Sequence, residues 1–245
     1  AGKSTLIAGL VGEWIAAGKK VAVLSVDPSS PFHKGAILGD RIRMKDWYLH
    51  PQVFIRSFAS RGHLGGLNSS MIELTTLLQA VGFDQIVLET VGVGQSEVEV
   101  ASLADTTVVV LVPEAGDEVQ MMKSGLMEVA DVFVVNKSDR PDAEIFTNHI
   151  RQMIMEHGVS DAHLKVIPTI ASQGVGMKEL IQALDAHQIA NKELDTRHKL
   201  IVAKVVQLIV AQKMRQLDLI KLEEDVAAAI SKEGFNIFSF TQNYF

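Results

Sequence analysis

Gly2-Lys3-Ser4-Thr5 runs directly into Leu6–Ala17, an apolar-rich segment of helical length, and the next apolar run is the β-branched stretch Val21–Val26. Glycine, lysine and hydroxyl at a helix start form the second half of G-x-x-x-x-G-K-[ST], whose backbone N–H groups cradle phosphates. In that motif Lys3 would lie on the β- and γ-phosphate oxygens and the Ser4 hydroxyl would ligate Mg²⁺. Gly2, Lys3, Ser4 and Thr5 are therefore candidate nucleotide contacts. The first half of the motif and the strand before it are expected upstream of Ala1.

Outward from this start the same alternation repeats. Strand-like runs cover Val21–Val26, Val53–Ile55, Gln85–Leu88, Thr107–Val112, Val132–Val135 and Lys165–Ile167. Helical candidates lie between and around them at Thr5–Ala17, Ser70–Val81, Glu118–Ala130, Ala143–His157 and Lys178–His187. The strand runs are β-branched and mostly continuous, as in parallel strands buried on both faces. Strand-helix-strand alternation implies an α/β fold with a doubly wound, mostly parallel sheet. From Asp195 to about Lys232 the pattern becomes one long helix or two shorter ones, so 1–190 reads as the nucleotide domain and 195–245 as a helical arm. Phe235, Phe238, Phe240, Tyr244 and Phe245 crowd the end, an apolar density that must pack on something.

Composition narrows the chemistry. At 245 residues and 47% hydrophobic, the chain can fill a large core. A net charge of −6, from 23 Lys+Arg against 29 Asp+Glu, lacks the basic footprint that a nucleic-acid partner requires. The absence of cysteine excludes disulfides, thiolate zinc sites and a cysteine nucleophile, so any metal must sit on oxygen or imidazole. No run reaches the ~18 apolar residues of a spanning helix. Even Leu200–Val210 is broken by Lys204 and Gln207, so no membrane partner is expected.

Three further stretches carry candidate site residues. Asp27 closes the Val21–Val26 run, and a carboxylate at the carboxyl end of a parallel strand faces the ligand crevice, although Asp27-Pro28 also reads as a turn opener. Asp40, in Gly39-Asp40-Arg41, reads by itself as a solvated charge or a helix cap. Glu89-Thr90-Val91-Gly92 sets an acid three residues before a glycine. In phosphate-hydrolysing switches such an acid holds the metal through water and the glycine N–H senses the γ-phosphate. Glu stands here where Asp is commoner. Finally, Asn136-Lys137-Ser138-Asp139 follows the run Val132–Val135. A carboxylate such as Asp139 can accept from both the ring N–H and the exocyclic amine of guanine, whereas adenine offers no matching pair, which favours GTP over ATP. The Lys137 stem would cover the base and Asn136 would tie this loop to the phosphate side.

These residues resemble the MeaB/ArgK/MMAA family of P-loop GTPases, chaperones of adenosylcobalamin-dependent methylmalonyl-CoA mutase and its relatives. The resemblance rests on Val26-Asp27-Pro28-Ser29-Ser30 through Gly39-Asp40-Arg41-Ile42-Arg43-Met44, then His63-Leu64-Gly65-Gly66-Leu67 and Glu89-Thr90-Val91-Gly92-Val93-Gly94-Gln95-Ser96-Glu97. Ala115-Gly116-Asp117-Glu118 and Asn136-Lys137-Ser138-Asp139 complete it, and it spans about Ala1 to Leu184. It implies Mg²⁺ near Ser4, Asp27, Asp40 and Glu89, with mobile switches at Asp27–Asp40 and Gly92–Gln95. A third mobile segment falls on Ala115–Lys123, where Lys123 can reach a phosphate or a partner. Lys3, Asp27, Asp40, Glu89 and Lys123 then form the catalytic set. Gly2, Lys3, Ser4, Thr5, Gly92, Asn136, Lys137 and Asp139 bind GTP or GDP, with Ala171 and Ser172 closing over the base on a looser match.

The resemblance further implies an adenosylcobalamin-dependent acyl-CoA mutase as partner, the cobalamin being the mutase's own. A bacterial cytoplasm or a mitochondrial matrix is the expected location. The apolar arm implies a homodimer. Three alternatives remain. One is a nickel- or cobalt-insertion GTPase, against which stand the missing cysteines and the scattered His33, His50 and His63. Another is a kinase linked to amino-acid transport, for which no acceptor domain is evident. The last is a non-catalytic module that holds GTP as structure.

Overall fold

In the computed structural model the described residues are 1–28, 44–60, 66–90, 103–113, 126–156, 165–193, 196–231 and 234–244. Strand β1 (Val21–Pro28) is flanked by β2 (Val53–Ser60) and β3 (Gln85–Thr90), both parallel to it. Strand β5 (Val132–Asn136) lies between β4 (Val108–Leu111) and β6 (Lys165–Thr169), again parallel. The two central strands explain the continuous apolar runs. Val21, Ala22, Val23 and Leu24, and likewise Phe133, Val134 and Val135, are wholly buried, which requires cover on both faces.

Strand alternation decides which helix covers which face. Val21 and Val23 of β1, Val132 and Val134 of β5, and Ile167 of β6 share one core with α1 (Lys3–Ala16) and α5 (Met177–Glu193). The intervening residues of β1 (Ala22, Leu24 and Val26) pack instead with Met71, Ile72 and Leu78 of α2 (Gly66–Ala80). Phe133 and Val135 of β5 pack with Phe146, Ile150, Met153 and Ile154 of α4 (Ala143–Glu156). Helices therefore lie on both faces, the doubly wound arrangement. Among the described residues the ladder is in two parts, β2-β1-β3 and β4-β5-β6, so β3 and β4 do not bond to each other. Among the described residues, side chains packed under α1 link the two parts.

Some element ends differ from the sequence reading. β2 runs on to Ser60 through the polar Arg56 and Ser57 because it pairs with the whole of β1, from Val21↔Val53 to Pro28↔Ser60. Within the expected helix Glu118–Ala130, the described part is α3 (Leu126–Val129); the earlier residues lie outside the described ones. Beyond α5 the stretch forms two helices, α6 (Thr196–Arg215) and α7 (Leu219–Ile230). The break falls at Asp218, whose carboxylate caps α7 by accepting from the N–H groups of Ile220 and Lys221, each at 3.1 Å. At the amino ends of the strands, Asp131 accepts from the Thr107 N–H at 2.7 Å and pairs with His187 Nε2 at 3.2 Å. Nδ1 of that ring meets Thr106 Oγ1 at 2.9 Å, which pins α5 to the start of β4.

The aromatic end packs chiefly on itself. α8 (Ile237–Thr241) brings the Phe235, Phe240 and Tyr244 rings into a row, with centroids 5.8 and 5.6 Å apart. The Tyr244 hydroxyl donates to Asp225 of α7 at 2.8 Å, and that hydrogen bond holds the phenol above its ordinary pKa. Phe238 remains exposed.

Candidate functional site

The carboxyl ends of parallel strands and the amino end of α1 meet along one edge, where open α/β sheets take ligands. At that edge Gly2 precedes α1 in the left-handed conformation, φ +82°, and no side chain caps the helix. The amino end of a helix presents backbone N–H groups and a partial positive charge, both suited to an anion. A Cβ at Gly2 would stand 2.7 Å from Asn136 Nδ2, so both φ and space call for glycine. Lys3 is half-buried, Ser4 is buried and Thr5 is exposed.

Ser4 points to the sheet. Its hydroxyl donates to Oε1 of Glu89 at 2.6 Å, joining the start of α1 to the end of β3. The second oxygen, Oε2, accepts from the Ser25 hydroxyl at 3.0 Å. Ser25 and Glu89 are register partners on adjacent parallel strands, and both are buried. Two positions after Ser25, Asp27 pairs with Ala59 in the β1–β2 ladder; its side chain lies outside the described residues.

Asn136, the last residue of β5, is 3% exposed. Its Nδ2 donates to the Ala1 carbonyl at 3.0 Å, while Oδ1 accepts from the Thr169 hydroxyl and the Ala171 N–H, both at 3.1 Å. One carboxamide thus bonds the residue before Gly2, the end of β6 and the turn after it. Lys137 follows in the left-handed region, φ +59°, and turns the chain so that Asp139 is exposed. The Ser138 N–H donates to the Thr169 carbonyl at 3.0 Å, bracing that turn. Ala171 is buried and Ser172 exposed in a tight loop closed by the Ile170–Val175 bridge. At Gly176, φ +81°, a Cβ would meet the Pro168 carbonyl at 2.5 Å.

The structure therefore brings together Gly2, Ser4, Glu89, Asn136 and Ala171, and sets Lys137, Asp139 and Ser172 on the adjoining loops. Asp40, Gly92 and Lys123 lie outside the described residues. Among the described residues no group of three or more His, Cys, Asp or Glu could hold a metal ion. The donors that do converge, the Ser4 hydroxyl and the Glu89 carboxylate, are all oxygen and suit a hard cation such as Mg²⁺. Sequence reading missed Ser25 and Thr169. The available signal was a hydroxyl placed inside or at the end of an otherwise apolar strand.

Residues 1–224 match the family described as methylmalonyl Co-A mutase-associated GTPase MeaB. A putative GTPase of Pyrococcus horikoshii is 41% identical over 245 residues, covering 95% of this chain and 77% of that protein. The mitochondrial methylmalonic aciduria type A homolog of Caenorhabditis elegans is 42% identical over 139 residues, covering 56% of this chain and 35% of its own length. A crystal structure of an LAO/AO transport system kinase superposes with TM-score 0.65 at 27% identity, covering 95% of this chain and 67% of that one. The chain spans 59% and 57% of the length of further curated relatives.

Proposed function

The chain belongs to the MeaB family of methylmalonyl-CoA mutase-associated GTPases, and from that premise we propose that it is a GTP-driven chaperone. It binds and hydrolyses GTP, and its two nucleotide states gate adenosylcobalamin loading into, and protect, methylmalonyl-CoA mutase or a related acyl-CoA mutase. The observation that carries the nucleotide part is the Asn136 carboxamide, which ties the end of the phosphate loop, just before Gly2, to the turn at Ala171. A ligand spanning that tie has anionic oxygens at α1 and a planar base near Asp139.

Each residue then has a task. Lys3 and the first N–H groups of α1 hold the β- and γ-phosphate oxygens and stabilise charge that grows as the β–γ bridging oxygen leaves and water oxygen bonds phosphorus. Ser4 and Glu89, with Asp27 and Asp40, would hold Mg²⁺, which supplies neutralising charge at the γ-phosphate. Gly92 reports the γ-phosphate through its N–H, and Lys123 carries the nucleotide state to the partner. Asp139 reads guanine, Lys137 covers its face, and Ala171 and Ser172 close the base side. Asp139→Asn should weaken GTP binding by about 1–3 kcal/mol and favour xanthine nucleotides, whose carbonyl replaces the amine. Competition between GTP and XTP measures this, and unchanged GTP preference refutes the base assignment.

The arm is assigned to pairing of two copies. Val202, Val206, Ile209 and Val210 on α6 and Leu219 and Ile220 on α7 are exposed apolar side chains on consecutive helices, a surface that a two-fold pair would cover. No described helix is long and apolar enough to cross a membrane. One experiment tests both partners: GTP turnover with and without the mutase, on a sample whose mass is set by light scattering. A dimer whose turnover rises with mutase is expected. A monomer refutes the pairing, and a flat response refutes the mutase.

A further inference from the structure

We propose that Ser25 is the positioning residue for Glu89, the hydroxyl of β1 that fixes the plane of the carboxylate whose other oxygen engages Ser4. This rests on the proposed role of Glu89 at the metal and γ-phosphate. Ser25 is 1% exposed, and a buried hydroxyl is costly unless bonded. The β1 residues on the same face by strand alternation, Val21 and Val23, are apolar. The hydroxyl stands directly across the ladder from Glu89 and bonds its Oε2 at 3.0 Å.

The length of the acid gives that bond its purpose. Glutamate has one more side-chain torsion than aspartate, and its terminal torsion is broad. The bond from Ser4 to Oε1 at 2.6 Å holds one oxygen of the carboxylate. The second donor sits on a different element and takes the other oxygen, so plane and reach are both set. Ser4 keeps its lone pairs while donating its proton, and its bond to Glu89 is compatible with ligating a cation. Ser25 is thus the feature that lets a glutamate serve where the shorter acid is commoner. Partners of a ligating carboxylate act in this way on metal affinity.

The test uses the intact protein loaded with GDP and titrated with Mn²⁺, read by the free-ion electron paramagnetic resonance signal. Ser25→Ala should weaken Mn²⁺ binding about tenfold, with GDP affinity in EDTA unchanged and the thermal midpoint lowered only slightly, as the loss of one buried hydrogen bond requires. Steady-state GTP hydrolysis should lose kcat at constant KM. Ser25→Thr, which keeps the hydroxyl, should restore Mn²⁺ affinity. If Ser25→Ala binds Mn²⁺ as wild type does while Glu89→Ala loses it, the positioning role falls and the metal reading stands. If Glu89→Ala also keeps Mn²⁺ affinity, the metal reading itself falls. A Ser25→Ala variant whose midpoint and metal-free GDP affinity drop in step with Mn²⁺ affinity shows a packing role instead and overturns the proposal.

Discussion

Glu89→Gln should lower single-turnover GTP hydrolysis by about 10²–10³-fold, while GDP affinity measured in EDTA stays nearly unchanged. The native carboxylate accepts one hydroxyl at each oxygen, from Ser4 and Ser25. Glutamine keeps the volume and one acceptor, but its NH₂ must face the other hydroxyl. That hydroxyl can turn and accept instead, so the fold survives at a cost of about 1–3 kcal/mol if the turn is blocked. The negative charge has no such substitute. On the proposed metal role, its loss would weaken the hold on a divalent cation and leave charge developing at the γ-phosphate uncompensated. On the proposed reading, metal-free GDP binding relies on α1, Asn136 and the base loop, which the substitution leaves in place. A Gln variant that hydrolyses GTP at the wild-type rate would remove Glu89 from the chemistry.

The alternation of apolar strands with helices was legible because the central strands β1 and β5 are buried on both faces, and burial on both faces writes an unbroken Val/Ile/Leu run. Strand ends were not legible. The far end of β2 lies at Arg56-Ser57-Phe58-Ala59-Ser60, where pairing with β1 overrides the residue pattern. The same limit hid the break of the long arm helix less than its cause: Asp218 is a recognisable cap, but only a structure shows both N–H groups on it. In the site, the half phosphate loop and Asn136-Lys137-Ser138-Asp139 carry spacing that local chemistry demands, so they stood out in one dimension. Ser25 and Thr169 did not. Their meaning depends on Glu89 and Asn136, which lie 64 and 33 residues away along the chain, and a lone hydroxyl in a strand has no spacing to betray it.

Asn136→Ala should cost the most stability of any single change at the site, about 2–4 kcal/mol, with GDP affinity falling as well. Two buried groups lose their acceptor at once, the Thr169 hydroxyl and the Ala171 N–H, and each incurs the cost of an unmade buried hydrogen bond. A domain holding the usual 5–15 kcal/mol or so would remain folded but visibly weakened. Stability loss alone could lower affinity, and Asn136→Asp separates the two effects. Aspartate keeps an acceptor for Thr169 and Ala171, while an oxygen replaces the Nδ2 donor opposite the Ala1 carbonyl. Oxygen facing oxygen repels, and the tie to the phosphate loop is lost although the β6 side of the network is kept. Denaturant midpoints should therefore rank wild type, then Asp, then Ala, whereas GDP affinity should fall in both variants. Wild-type GDP affinity in Asn136→Asp would mean that the Ala1–Asn136 bond is incidental and that the phosphate loop holds its shape without the base side.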